Sequence, residues 1–304
     1  MRRFLMVGIL AVWATPLRAD DAQGVKQTIA YVQKLQTSTG GFTATAPQPN
    51  VRLAPNLQAT SAGVRGLHYW GGEVPDKAGA IKFVESCWDE ASGGFANFPK
   101  GKPDVFTTAV GMMAVSELKM PTSKYWLPAT NYLAENAKGF DDIRIAAAGC
   151  EALQKKLQSD LPQIGIWVEG WDTEVMKGRN ADGTFGKGAG KARDTASRIV
   201  TLMRIGLTVK NRDAVLKVLT EGQRRNGGYG KEDDENASDL ETTYRVMRCF
   251  VMLKARPDNV EGVRSFVAKC RNEDGGYGTA PGQPSNINGT YFAAILRHWL
   301  DKKE

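Results

Sequence analysis

Apolar residues recur at helical spacing in two kinds of stretch that alternate along the chain. The first kind has a single apolar face and runs from Val25 to Leu35, Ala78 to Cys87, Asp213 to Gln223 and Val260 to Cys270. Each is followed by a glycine pair and an aromatic residue: Gly40-Gly41-Phe42, Gly93-Gly94-Phe95, Gly227-Gly228-Tyr229 and Gly275-Gly276-Tyr277. A looser copy of this turn is Asp182-Gly183-Thr184-Phe185-Gly186. A loop follows, and then the second kind of stretch, a more apolar helix that opens on a polar residue. No strand-length alternating run with hairpin turns competes with these helices.

The second helices align without gaps. Their polar entry positions are Asn56, Asp104, Asp142, Lys191, Asp239 and Asn286, and four residues on lie Thr60, Thr108, Ala146, Thr195, Thr243 and Thr290. Successive entries are 48, 38, 49, 48 and 47 residues apart. A period of that length with two helices per unit marks a helical-hairpin repeat. Asp or Asn at the entry accepts hydrogen bonds from free first-turn amides. The glycine pair allows a tight reversal where the outer helix stops, and the aromatic seals the turn against the next helix. Six such units predict an all-α protein, an (α/α)6 toroid of helix hairpins with Gly-Gly-aromatic turns and inner helices around a central cavity.

Glycine, 33 of 304 residues, is the one composition outlier, and the turns account for it. At the N-terminus, Arg2 and Arg3 precede an apolar run from Phe4 to Leu17 that ends in Leu17-Arg18-Ala19. This is the layout of a secretory signal, residues 1–19, cut after Ala19, with the toroid filling residues 20–304. The run is too short to span a bilayer comfortably, so the expected mature protein is exported, periplasmic or secreted, and keeps no membrane span. Loss of Arg2, Arg3 and Arg18 takes the net charge from +7 to +4, which gives no footprint for nucleic acid. The acidic cluster Glu232-Asp233-Asp234-Glu235 reads as a solvated loop. Cys87, Cys150, Cys249 and Cys270 allow three pairings in an exported chain. Matching repeat positions for Cys87 and Cys270, and apolar surroundings for the other two, favour buried free thiols.

The segment Gly93-Gly94-Phe95 through Pro99 to Pro103-Asp104-Val105 resembles the repeat of protein prenyltransferase β subunits, most nearly that of Rab geranylgeranyltransferase. Gly227 to Tyr244 and Gly275 to Tyr291 are further copies. Gln36 to Phe42 and Gln223 to Tyr229 resemble a loosened form of the repeat of squalene and terpene cyclases. The resemblance covers about residues 25–300. It implies the toroid fold and an apolar-lined tunnel for an isoprenoid chain.

The catalytic pattern departs from that family. The zinc prenyltransferases use an Asp, a Cys two residues later and a His in the sixth repeat. Here Asp239 is retained, Glu241 stands in the Cys slot, and Asn286, Asn288 and Gly289 surround the expected His. His68 and His298 are off this register and read as surface or packing residues. No metal site or cofactor is therefore expected. Slots that hold the diphosphate in the family read Phe98, Gly101 and Thr107 in the second repeat, with Lys100 and Lys102 beside them. In the fifth repeat Lys231 precedes Asp239 and Arg245 follows it. A diphosphate requires clustered cations, and these loops show none.

Two classes of function follow. One is a non-catalytic toroid that binds a hydrophobic, isoprenoid-like ligand or an exported protein. The alternative is an enzyme: a geranylgeranyltransferase-like transferase, a terpene-cyclase-like enzyme with Glu241 in the proton-donor slot, or a glycan-active toroid using Asp104, Asp142, Asp239 and Glu241. The candidate catalytic residues are Glu241 and Asp239. The candidate binding residues are Tyr244, Asp104, Asn286, Lys100, Lys102 and Arg245. Trp167 and Trp171 belong to an irregular insertion, either a cover over one mouth or a surface loop with packed tryptophans.

Overall fold

The structure is a computed structural model that describes residues 22–47, 53–157, 168–234 and 237–302. The predicted signal segment 1–19 and Trp167 lie outside the described residues. Among the described residues, six inner helices form a ring: α2 (Leu57–Trp70), α4 (Val105–Leu118), α6 (Phe140–Leu157), α8 (Lys191–Arg204), α10 (Leu240–Met252) and α12 (Ile287–Asp301). Each packs on the next, and α12 packs on α2, so the ring closes. Six outer helices back them: α1 (Ala22–Gln33), α3 (Lys77–Ser86), α5 (Thr122–Asn136), α7 (Trp171–Met176), α9 (Arg212–Glu221) and α11 (Val260–Lys269). A two-residue antiparallel pair, β1 (Trp88–Asp89) with β2 (Gly94–Phe95), decorates one turn. No helix among the described residues is long and apolar enough to cross a membrane.

The two helix classes differ because their surroundings differ. An outer helix touches the ring on one side only, and α11 buries just Val263, Phe266 and Val267. An inner helix has a neighbour on each flank and an outer helix behind. In α4 every residue from Thr107 to Ser116 is buried, as expected of a helix that is apolar nearly all round.

The turns and helix starts form one repeated joint. Asn56, Asp104, Asp239 and Asn286 are N-caps, each accepting from the backbone N–H three residues on at 2.7–2.8 Å. The threonine one position further is completely buried, and its hydroxyl serves the turn. Oγ1 of Thr60, Thr108, Thr195, Thr243 and Thr290 accepts from the N–H of Phe42, Phe95, Phe185, Tyr229 and Tyr277, all at 2.9–3.0 Å. Thr60, Thr243 and Thr290 also donate to the carbonyl of their own N-cap. The aromatic is thereby pinned at the start of its inner helix.

Neighbouring repeats are tied at the same level. The first helical N–H of α2 donates to Asn97 O, that of α10 to Thr279 O and that of α12 to Ala44 O, each at 2.8 Å. Each acceptor lies two residues past a turn aromatic, and the last bond joins the sixth repeat to the first. Gly227 explains the glycine at the head of the turn. Its φ is +91°, and a Cβ there would stand 2.0 Å from the carbonyl oxygen of Gly262 in α11.

Two repeats break the expected pattern. In the third, α6 begins at Phe140, so Asp142 lies inside the first turn rather than capping it. With no Gly-Gly-aromatic turn ahead of it, Ala146 has no turn amide to receive. In the fourth, a 3-10 turn (Gly188–Gly190) leads into α8 and Lys191 is its first residue, with no side-chain cap. Lys191 instead lies 3.6 Å from Asp182.

All four cysteines are free and buried. Burial pushes the Cys87 thiol up to about 11 and those of Cys150 and Cys270 up to about 12, and raises Cys249 as well. A thiol-specific chromogenic reagent should find no fast-reacting thiol in the native protein and four after denaturation; a native burst of even one contradicts this packing. Thr243→Val keeps the side-chain shape but strands the Tyr229 amide. Urea unfolding should show a loss of about 1–3 kcal/mol, with a smaller loss for Thr243→Ser, which keeps the hydroxyl.

Candidate functional site

The inner helices turn a shared stripe toward the ring axis. Counted from the entry residue, the lumen-facing positions are chiefly the second, fifth, sixth and ninth, the spacing of one helix face, with Arg204 at the thirteenth. Together they line a cavity of about 330 Å³. Its entrance lies at the N-terminal end of the inner helices, where Phe106 and Glu241 are exposed. Its floor is aromatic: Tyr244 stacks on Trp299 at 5.4 Å and meets Phe292 at 5.2 Å.

One wall is apolar. Phe106, Val110 and Met113 of α4 form its centre, with Ala62 of α2 and Ile145 and Ala148 of α6 on either side. The rest of the lining is polar and aromatic and carries five arginines, Arg65 from α2, Arg144 from α6, Arg204 from α8, and Arg245 and Arg248 from α10. In the ring α10 stands opposite α4, so the richest charge faces the most apolar wall. Glu151 of α6, just behind the lining, accepts from Arg204 at 2.8 Å and Arg248 at 2.9 Å on one oxygen. Glu241 pairs with Arg245. Arg65 donates to the Tyr291 hydroxyl and to Met113 Sδ, and lies 4.4 Å from the centroid of the Tyr291 ring. Five arginines against two glutamates leave the wall three charges positive.

That field separates two tyrosines at equivalent positions of α10 and α12. Burial alone would push the Tyr244 phenol up, but Arg248, Arg204 and Arg65 outweigh it and hold the group below the usual tyrosine value. At Tyr291 burial wins over Arg65 and the phenol is raised. Burial, and then Arg245, hold the Arg144 guanidinium below its usual value.

Of the residues expected from the sequence, the structure brings Glu241, Tyr244 and Arg245 together on the lumen. Asp239 stands at its edge with both oxygens in use: one accepts from the Thr242 N–H and the other from the Thr242 hydroxyl, each at 2.7 Å. Asp104 and Asn286 cap α4 and α12 and do not line the cavity. Lys100 and Lys102 are exposed on the loop before α4 and also lie outside the lining. Of the carboxylates considered for glycan chemistry, only Glu241 lines the lumen. Tyr229 and Tyr277 are buried turn anchors, and Trp171 is buried at the head of α7. His68 and His298 lie at the far end on either side of Tyr69, with ring centroids 5.5 and 5.1 Å away.

The lumen is therefore not the apolar-lined tunnel implied by the family resemblance. Its cations come from the helices and not from the turn loops, and the loop motifs do not point to Arg65, Arg144, Arg204, Arg248, Glu151 or Ser197. A signal for them does exist. In helices surrounded by protein on three sides, most charge at the second, sixth and ninth positions faces the lumen, as Arg144, Glu241, Arg245, Arg65 and Arg248 do.

A family model described as the prenyltransferase alpha-alpha toroid domain matches residues 71–137 and 147–302. No curated protein sequence matches the chain. Among solved structures, the fold is similar to Candida albicans protein geranylgeranyltransferase-I complexed with GGPP, at TM-score 0.58 and 11% identity over 79% of this chain and 83% of that one. It is equally similar to a variant of a type II terpene cyclase from Scytonema in complex with geranylgeranyl dihydroxybenzoate, at 0.59 and 10% identity over 91% and 95%. A GH76 α-mannanase of Bacteroides thetaiotaomicron matches at 0.59 and 12% identity over 92% and 94%. Identities this low speak to the fold alone, but the family model spans most of the chain, which thus belongs to the prenyltransferase alpha-alpha toroid domain family.

Proposed function

We propose that this chain is an exported binding toroid whose lumen takes an isoprenoid-type amphiphile, a long apolar chain that ends in an anion. The observation that carries this reading is the two-sided cavity. An apolar wall on α4 and its flanks favours a hydrocarbon by burial, and Arg204, Arg245 and Arg248 across from it, with Arg65 and Arg144 at its edges, favour a negative end. The solved relatives support the apolar part, since one was determined with GGPP and another with a geranylgeranyl dihydroxybenzoate.

Zinc has no part in this reading, because the residues on the family register do not suit it. Zinc prefers thiolate and imidazole donors. Here the Cys slot holds Glu241, already paired with Arg245, and the Asp239 oxygens are both bonded to Thr242. A side chain at Gly289 would place its Cβ 2.5 Å from the Tyr277 carbonyl oxygen, so no histidine fits there. Arg144, Arg245 and Arg248 surround the spot with positive charge. Proton donation by Glu241 is also disfavoured, since a donating acid has to be neutral at rest and this carboxylate is ion-paired.

The test is thermal unfolding with geranylgeranyl diphosphate, in the presence of a chelator or of added zinc. A ligand at a hundred times its Kd adds about 2.7 kcal/mol of stability, which should raise the Tm by several degrees with chelator present. Val110→Trp, which fills the lumen from the apolar wall, should abolish the shift and leave a folded protein. No shift, or one that requires zinc, would overturn the proposal.

A further inference from the structure

The rim of the lumen entrance is chemically uneven. Among the described residues the large apolar side chains left exposed are Phe98, Phe106, Leu127, Met176 and Val251. Phe98, 46% exposed, and Phe106, 40% exposed, both belong to the second repeat, one in the loop before α4 and the other in its first turn. Phe98, Pro99, Lys100, Gly101 and Lys102 form an unbroken run of exposed residues. The stretch from Ala91 to Pro103 contains no acidic residue. Asp104 ends it, and its carboxylate is engaged as the cap of α4.

The loop is held at its base and projects at its tip. At the base, Asn97 receives the Leu57 N–H on its carbonyl oxygen at 2.8 Å and the Gln58 N–H on its side-chain oxygen at 3.1 Å, both from the start of α2. At the tip, the Gly101 N–H donates to Phe98 O at 3.0 Å and closes a four-residue turn. Pro99 takes the second place, which suits proline. Lys100 takes the third with φ +59°, a left-handed conformation that ordinarily goes to glycine. The other lysines of positive φ among the described residues, Lys119 and Lys254, stand at the ends of α4 and α10, where a cation meets the negative end of a helix. Lys100 has no helix end beside it and no ion pair among the described residues. The turn thus keeps a strained residue whose charge meets only solvent, and that points to a use outside the molecule.

Size and sign select the partner. A protein interface takes about 20–30 residues from each side, and this tip offers five together with Phe106. A peripheral contact with a lipid surface needs far less: an apolar group to enter it and cations to meet its charge. Across the mouth, the matching loop of the fifth repeat has the opposite sign, with Glu232, Asp233 and Asp234 all exposed. An anionic surface attracts one edge of the ring and repels the other.

We propose that the Phe98–Lys102 turn and Phe106 dock the ring, second repeat first, onto a membrane surface that carries anionic phospholipid. This surface stands apart from what fills the lumen. Phe106 also heads the apolar wall, so the docked edge adjoins the apolar side of the cavity.

Sedimentation of the full chain with vesicles tests this, using phosphatidylcholine alone or in equal parts with phosphatidylglycerol. Because Phe4–Leu17 is apolar as well, the quantity read is the difference between the wild type and loop variants that share that segment. The wild type should prefer the anionic vesicles and leave them as salt is raised. Lys100→Gly with Lys102→Gln should weaken that binding roughly 25-fold, at about fivefold for each lysine. Phe98→Ser should weaken it further. Neither change should lower the Tm, since glycine suits the third place of the turn and Phe98 is exposed. Equal binding of wild type and variants to the anionic vesicles, or equal affinity of the wild type for both kinds of vesicle, would overturn the proposal. So would a wild type that ignores vesicles and dimerises through a contact that Phe98→Ser breaks, which would make the patch a protein interface. A wild type that docks in this way but shows no Tm shift with geranylgeranyl diphosphate would remove the lumen reading and keep this surface.

Discussion

Five times around the ring, the N–H of a turn aromatic ends on a threonine hydroxyl in the first turn of an inner helix. The hydroxyl sits completely buried, where an unmet donor or acceptor is costly. At Thr60, Thr243 and Thr290 it meets both demands, taking an amide proton from the turn and giving its own to the N-cap carbonyl. This joint fixes three things at once: where the inner helix begins, where the aromatic packs, and how the helix is rotated about its axis. The rotation has the widest consequence, because it decides which stripe of each inner helix faces the lumen. The amide-to-carbonyl bonds between repeats, including the one from Ile287 back to Ala44, then hold the helix starts at one level.

Once rotation is fixed, the lumen chemistry follows from the residues on the stripe. Six helix N-termini stand around the entrance, each with first-turn amides that have no acceptor within their own helix and with a partial positive charge. Asp104, Asp239, Asn56 and Asn286 answer part of that as caps. The arginines below them add whole charges in a low-dielectric enclosure, where they act more strongly than on a solvated surface. Tyr244 and Tyr291 register the effect. They occupy equivalent positions, Tyr291 buried and Tyr244 half-buried, yet Tyr244, with Arg248 and Arg204 close by, moves down while Tyr291 moves up. Glu151 is the counterweight that lets Arg204 and Arg248 share one small space.

The fold was largely legible in the sequence because its joints are local. Gly-Gly-aromatic turns, Asp or Asn caps and a threonine four residues later all lie within one repeat, and their recurrence is itself the evidence. The reading failed where the joint is missing. Asp142 and Lys191 align with true caps by spacing, but α6 starts at Phe140 after a short link and α8 grows out of a 3-10 turn. The site was only partly legible for the opposite reason. Glu241, Tyr244 and Arg245 were found because they follow a turn motif directly. Arg65, Arg144, Arg204 and Arg248 come from four helices far apart in sequence. In any one helix a charge at those positions looks like the solvated face of an amphipathic stretch. It becomes a lumen residue only when closure of the ring removes every other face from solvent.

The positions that build the ring and the positions that line it therefore belong to different subsets of the same helices. Caps, threonines and turn glycines recur from repeat to repeat and hold a fold similar to that of a geranylgeranyltransferase, a terpene cyclase and an α-mannanase at about one residue in ten identical. The second, fifth, sixth and ninth positions, which line the cavity, obey no such repetition. At the ninth position the six helices carry Arg65, Met113, Glu151, Val200, Arg248 and Ile295 in turn. The joint tolerates this freedom because it makes no use of the lumen face. A change on the stripe alters charge and shape inside the cavity and leaves the bonds that close the ring untouched. That independence lets the chemistry of the lumen vary while the fold stays the same.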